Sequence, residues 1–186
     1  MSEIIPAILA KSVPDLESRL AQIPDEVKFL HIDVLEKDIW TDTAGIDFEV
    51  HLMVTEPEKI IARWIERGAR RVIVHESSPE ILKYRNKVEI GLEIEMREFL
   101  AKELEQVPSV DFIHIMSIDE IGKQGRPFDP RVFDRIRKVR EKFPQVPISV
   151  DGGINTENYQ KLQDAGADRL VVGSGFKELW KSLTRN

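Results

Sequence analysis

Two kinds of segment alternate from one end of the chain to the other, and this restricts the fold more than any other feature. Apolar, β-branched runs of strand length stand at Ile4–Leu9, Phe29–Val34, Phe48–Val54, Arg71–His75, Glu89–Ile94, Val110–Met116, Pro147–Val150 and Arg169–Val172. Between them, apolar residues recur at helical spacing over Pro14–Ile23, Pro57–Arg67, Pro79–Lys87, Arg97–Gln106, Pro130–Phe143, Thr156–Ala165 and Phe176–Leu183. Several of these stretches carry proline in the first turn, and Thr156 stands where a capping residue would. Strand and helix in repeated succession imply parallel pairing through right-handed crossovers, and eight strands predict closure into a (β/α)8 TIM barrel of the α/β class. An open doubly wound sheet is the alternative. Only Leu35–Asp47 separates the second run from the third, without a helical period, so the second helix is expected to be reduced or missing.

At 186 residues with 41% hydrophobic side chains, the chain suffices for one barrel domain over residues 1–186. It contains no cysteine, which leaves no disulfide framework, thiolate metal site or cysteine nucleophile. No run of apolar residues is long enough for a membrane span, and Met1-Ser2-Glu3-Ile4 does not begin an export signal, so the cytoplasm is the expected compartment. A net charge of -6 argues against nucleic acid as a partner, and the basic stretch Arg131–Lys142 reads as a solvated helix face.

Inside the apolar runs stand ionisable residues that are costly to bury without a partner: His31 and Asp33 in the second, His51 in the third, and Asp151 directly after the seventh. His31 and Asp33 are two apart and share one strand face. In such barrels the residues at the carboxyl ends of strands form the active site. Two imidazoles and two carboxylates make a divalent-metal ligand set, an acid/base pair of carboxylates, or both. His75 and His114, also near strand ends, read as structural histidines.

Glycine turns mark a second feature. Gly152-Gly153 leaves the seventh strand and Gly173-Ser174-Gly175 the eighth, the two loops that commonly bind phosphate in this architecture. The long polar loop Ser117–Phe128 is a candidate lid, with Lys123 or Arg126 as counter-charge.

At these residues the chain resembles the ribulose-phosphate 3-epimerases, as a shortened and divergent member. The likeness runs through Pro6-Ala7-Ile8-Leu9, His31-Ile32-Asp33-Val34, His51-Leu52-Met53-Val54, Val74-His75-Glu76, Met116-Ser117, Val150-Asp151-Gly152-Gly153-Ile154 and Gly173-Ser174. The resemblance implies that His31, Asp33, His51 and Asp151 bind one divalent metal (Zn, Fe, Mn or Co), with Asp33 and Asp151 as catalytic acid and base. The implied reaction interconverts D-ribulose 5-phosphate and D-xylulose 5-phosphate at C3 through an enediolate. Substrate and phosphate contacts are implied for Gly152, Gly153, Gly173, Ser174, Met53 and Met116, and for Gly122, Gln124 and Gly125 in the lid. The expected partner is a small ketose phosphate; the family tends to form homodimers or higher homo-oligomers, and the shortened second crossover could remove or expose such an interface.

The chain also departs from the family pattern. Ala7 stands where the family usually has Ser, Leu35–Trp40 replaces the Met-Asp-Gly and Phe-Val-Pro-Asn stretch, the lid keeps only part of its glycine, and the fifth strand ends in Glu93-Ile94-Glu95-Met96 rather than Asn-Pro. The changes at Ala7 and the lid favour an alternative, an epimerase of another ketose phosphate such as allulose 6-phosphate; a sugar-phosphate-binding relative without turnover is a separate one.

Overall fold

In the computed structural model, which describes residues 1–96, 105, 107–123 and 125–184, each apolar run forms a strand. The strands are β1 (Glu3–Leu9), β2 (Phe29–Val34), β3 (Asp47–Leu52), β4 (Arg71–Val74), β5 (Glu89–Ile94), β6 (Phe112–Met116), β7 (Ile148–Asp151) and β8 (Arg169–Val172). Each pairs in parallel with its sequence neighbours, and β1 pairs with β8, so the sheet is a closed barrel. The described helices are α1 (Val13–Leu20), α2 (Ile61–Glu66), α3 (Pro79–Leu82), α4 (Val132–Lys142), α5 (Tyr159–Ala165) and α6 (Phe176–Thr184). The helix expected over Arg97–Gln106 lies almost wholly outside the described residues.

Several helices are shorter than their periodicity predicts: α1 ends at Leu20, and α2 begins at Ile61 after a 3-10 turn over Pro57–Lys59. α3 begins at a Ser78 cap but ends at Leu82, and residues up to Lys87 continue as turns. Thr156 does not cap α5. The Asn155 and Asn158 side chains accept from the backbone N–H groups of Glu157 and Asn155 at 2.8 and 2.9 Å, building an Asx-type turn that delays the helix until Tyr159.

Strands of a closed parallel barrel are covered on both faces, which is why β4, β6 and β7 are buried at every position. Outward-facing residues such as Leu30, Ile32, Val50, Val72, Ile113 and Leu170 join the helices in one large apolar cluster. Ile5, Ile73, Phe112, Met116 and Val171 are equally buried yet separate from it, and belong to the barrel interior. That interior is only half apolar. At its amino-terminal end, buried Arg71 lies 2.9 Å from Glu49 and 3.4 Å from Glu3, with its guanidinium 3.8 Å from the Phe29 ring centre.

No helix connects β2 to β3. Instead Ile39 and Trp40 of this segment pack against the core, where the Trp40 ring stands 5.1 Å from Phe48 and 5.4 Å from Trp64. Asp38 pairs with Arg63 and Arg67 of and beside α2, and the Arg67 guanidinium lies 4.7 Å from the Trp64 ring centre. Aromatic area thus covers the barrel wall where a helix would otherwise lie. Trp64, fully buried at the centre of this cluster, is expected on truncation to alanine to cost about 3–5 kcal/mol in urea unfolding. A loss below about 1 kcal/mol would show that the cluster is not what closes this side.

Candidate active site

Strand pleating sends alternate residues inward, and the register brings the inward residues of neighbouring strands level with one another. Asp33 of β2 pairs with His51 of β3, His31 with Glu49, Glu93 of β5 with His114 of β6, and Met116 with Asp151 of β7. The four residues predicted as the site therefore converge at the carboxyl end of the barrel. His31 Nε2 is 3.2 Å from Asp33 Oδ1 and 3.9 Å from Asp151 Oδ2, and His51 Nδ1 is 3.7 Å from Asp33 Oδ1. The imidazoles are fully buried, whereas the two aspartates keep 12% and 13% of their side-chain surface and line the cleft above.

His114 joins this group. Its ring stacks on His31 with centres 5.4 Å apart, its Nε2 is 3.6 Å from Asp151 Oδ2, and one donor atom each from His31, His51, His114 and Asp151 can lie within 4.8 Å of one another. His114 is packed inside the barrel, and from there it stands within reach of the predicted site residues. His75, partly exposed, sits behind His51 with its Nδ1 3.3 Å from Glu93 Oε1, and forms a second group with those two residues.

Behind the imidazoles lie two buried glutamates. His31 donates from Nδ1 to Glu49 Oε1 at 2.8 Å, and His51 donates from Nε2 to Glu93 Oε2. Glu49 and Glu93 were not singled out as site residues from the sequence. A signal was present, since Glu49 precedes His51 by two residues and must share its strand face, and Glu93 interrupts the apolar run Ile90–Ile94.

The electrostatics follow from this crowding. Burial would lower His31, but Asp33 and Glu49 outweigh it and raise the ring well above its ordinary range. Burial also opposes protonation of His51, yet Glu93 and Asp33 raise it to about 9. His114, buried beside two cationic rings, is pushed well below the usual histidine range. The aspartates diverge: burial would raise Asp33, but the His31 and His51 rings hold it well below the carboxylate range, whereas burial, together with the negative charge of Asp33, pushes Asp151 up to about 7. Protons on imidazole and on Asp151 thus offset the negative charge of Asp33, Asp151, Glu49 and Glu93. A divalent cation could offset the same charge, and His51 Nδ1 and both His114 nitrogens are buried without a hydrogen-bond partner. His31, His51, His114 and Asp151 stand close enough together to hold such an ion, and Asp33 is a further carboxylate beside His31 and His51.

The cleft is walled by the glycine loops. Gly152, Gly153, Gly173, Ser174 and Gly175 line it, together with Met53, Met116, Ala7 and Ile118. Gly153 has φ +64, and a Cβ there would stand 2.8 Å from the Phe128 backbone, so the loop after β6 can pack directly on the turn after β7. The Ser117 hydroxyl bridges the same two loops, 2.9 Å from the Asp151 carbonyl and 2.6 Å from that of Gly152. Of the lid, Gly122, Lys123, Gly125 and Arg126 reach the cleft, and Gln124 lies outside the described residues. Lys123 and Arg126 both pair with Glu120, so their charges are engaged within the loop.

Comparisons with known proteins show the family and the fold. The model of the ribulose-phosphate 3 epimerase family matches residues 3–177. The ribulose-phosphate 3-epimerase of Eremothecium gossypii is 28% identical over 92% of this chain and 84% of its own length. That of Chlamydia muridarum is 28% identical over 93% of this chain and 87% of its own length. Among solved structures, 3-hexulose-6-phosphate synthase from Salmonella typhimurium superposes with a TM-score of 0.69 at 14% identity, covering 95% of this chain and 90% of that one. Thiamine phosphate pyrophosphorylase from Pyrococcus furiosus gives 0.64 at 15% identity, covering 97% and 93%. These two share the fold alone. With the family match running through all eight strands and reaching into α6, beyond the last strand, the chain belongs to the ribulose-phosphate 3 epimerase family.

Proposed function

We propose that the protein is a metal-dependent epimerase that interconverts D-ribulose 5-phosphate and D-xylulose 5-phosphate at C3. The observation that carries this reading is the pair Asp33 and Asp151: two carboxylates at the floor of one cleft, with their proton affinities driven apart, over two buried imidazoles. Such divergence equips one carboxylate to accept a proton and the other to deliver one. Inversion at a carbon beside a ketone needs this arrangement, since a base must remove the proton from one face and an acid must return one to the other. The two residues exchange roles in the reverse direction.

His31, His51, Asp33 and Asp151 would hold the metal. A divalent cation there supplies positive charge beside the oxygens on which the enediolate gathers negative charge. Met53 and Met116 give the reacting carbons apolar surroundings, and the Gly152-Gly153 and Gly173-Ser174 turns present backbone N–H groups to the phosphate. The lid residues Gly122 and Gly125 close over it. Ala7 on the cleft wall, with no hydroxyl to offer a pentulose, favours one second reading, an epimerase acting on a longer ketose phosphate such as allulose 6-phosphate.

In deuterated water, turnover of ribulose 5-phosphate is expected to place solvent deuterium at C3, read by proton NMR. Asp151→Asn is expected to lower kcat by about 10²- to 10⁴-fold while circular dichroism is unchanged. Turnover without deuterium at C3, or an Asp151→Asn variant of wild-type rate, would contradict the carboxylate pair. Allulose 6-phosphate turning over faster than ribulose 5-phosphate would select the second reading.

Removing the metal tests the other half. Chelation is expected to abolish turnover, and adding back Zn, Mn, Fe or Co is expected to restore it. Full rate in protein shown by elemental analysis to be metal-free would overturn the metal reading.

A further inference from the structure

The two imidazoles are held from behind in different ways. Glu49 binds His31 with one oxygen and stands 2.9 Å from the Arg71 guanidinium with the other, so its charge is balanced within the barrel wall. Glu93 has no such partner. Its side chain is fully buried, no Lys or Arg among the described residues pairs with it, and its nitrogen neighbours are imidazoles: His51 at Oε2, and His75 with Nδ1 3.3 Å from Oε1. A buried carboxylate without a permanent counter-charge is costly, and a fold retains one where positive charge is to be placed close by. With Oε2 taken by His51 Nε2, the far ring nitrogen Nδ1 faces Asp33 without a hydrogen-bond partner and is free to meet a cation. Glu93 also falls in the stretch Glu93-Ile94-Glu95-Met96, where the sequence departs from the family pattern.

From this arrangement we infer that Glu93 is a positioning residue for the metal: it fixes His51 as the Nε2–H tautomer, aims Nδ1 at the cation, and strengthens that nitrogen as a donor with its own negative charge. The inference rests on the metal reading above. A carboxylate behind a ligating histidine acts in this way generally, and its loss weakens metal binding by about 10- to 100-fold.

The test is zinc affinity, measured on chelator-stripped protein by competition with a chromophoric chelator. Wild type is expected to bind one ion per chain. Glu93→Gln, which keeps an acceptor for the Nε2–H but loses the charge, is expected to bind about 10-fold more weakly, and Glu93→Ala up to about 100-fold more weakly. A purely structural role would lower thermal stability and leave affinity unchanged. Ring-nitrogen NMR of zinc-loaded wild type supplies a readout that needs no variant, with His51 expected protonated at Nε2 and metal-bound at Nδ1. Wild-type affinity in a folded Glu93→Gln, or zinc on His51 Nε2, overturns the inference while the metal reading stands. Two ions per chain, the second between His51, His75 and Glu93, overturns it as well. No zinc bound to wild type overturns both.

Discussion

Charge buried in a closed barrel is the constraint around which this structure is arranged. Eight parallel strands leave an interior that must be filled by side chains, and here much of the filling is ionisable: His31, His51, His114, Asp33, Asp151, Glu49, Glu93 and Arg71. Removing such groups from water is expensive unless each finds a partner. The strand registers supply partners in tiers, Arg71 with Glu49 at the amino end, Glu49 with His31 and Glu93 with His51 in the middle, and Asp33 and Asp151 at the rim. Of these tiers the rim pair meets the cleft, and there proton affinity splits between two carboxylates.

The outer shell solves a separate problem. A barrel wall without its second helix exposes apolar strand surface, and the segment between β2 and β3 covers it with Ile39 and Trp40 over Phe48 and Trp64. Asp38 tethers that segment to Arg63 and Arg67. The consequence for the site is positional: β2 and β3 remain in register through all six pairs, which keeps Asp33 level with His51.

Much of this was legible in the sequence. Alternating periodicities give the eight strands, because burial on both faces requires continuous apolar runs. His31, Asp33, His51 and Asp151 stand out because a charged group inside such a run has few bland explanations. The glycine turns after β7 and β8 are legible for steric reasons, as at Gly153, where only glycine leaves room for Phe128. Less legible was what depends on register and on competing local bonds. His114 joins the site because β5, β6 and β7 bring it beside Asp151, a relation no local pattern encodes. Glu49 and Glu93 carry the same signal as the histidines, but that they stand behind His31 and His51 depends on the register and side-chain pairing of separate strands. Thr156 fails as a cap because Asn155 and Asn158 offer the backbone nearer acceptors.

The central claim is that two imidazoles and two carboxylates from three strands enclose one cation. Anomalous diffraction at the zinc edge, from crystals of the zinc-loaded protein, tests it most directly. The account predicts one peak about 2.0–2.2 Å from His31 Nε2, His51 Nδ1 and an oxygen of each of Asp33 and Asp151. A peak held by other residues, or none at this site, would contradict it.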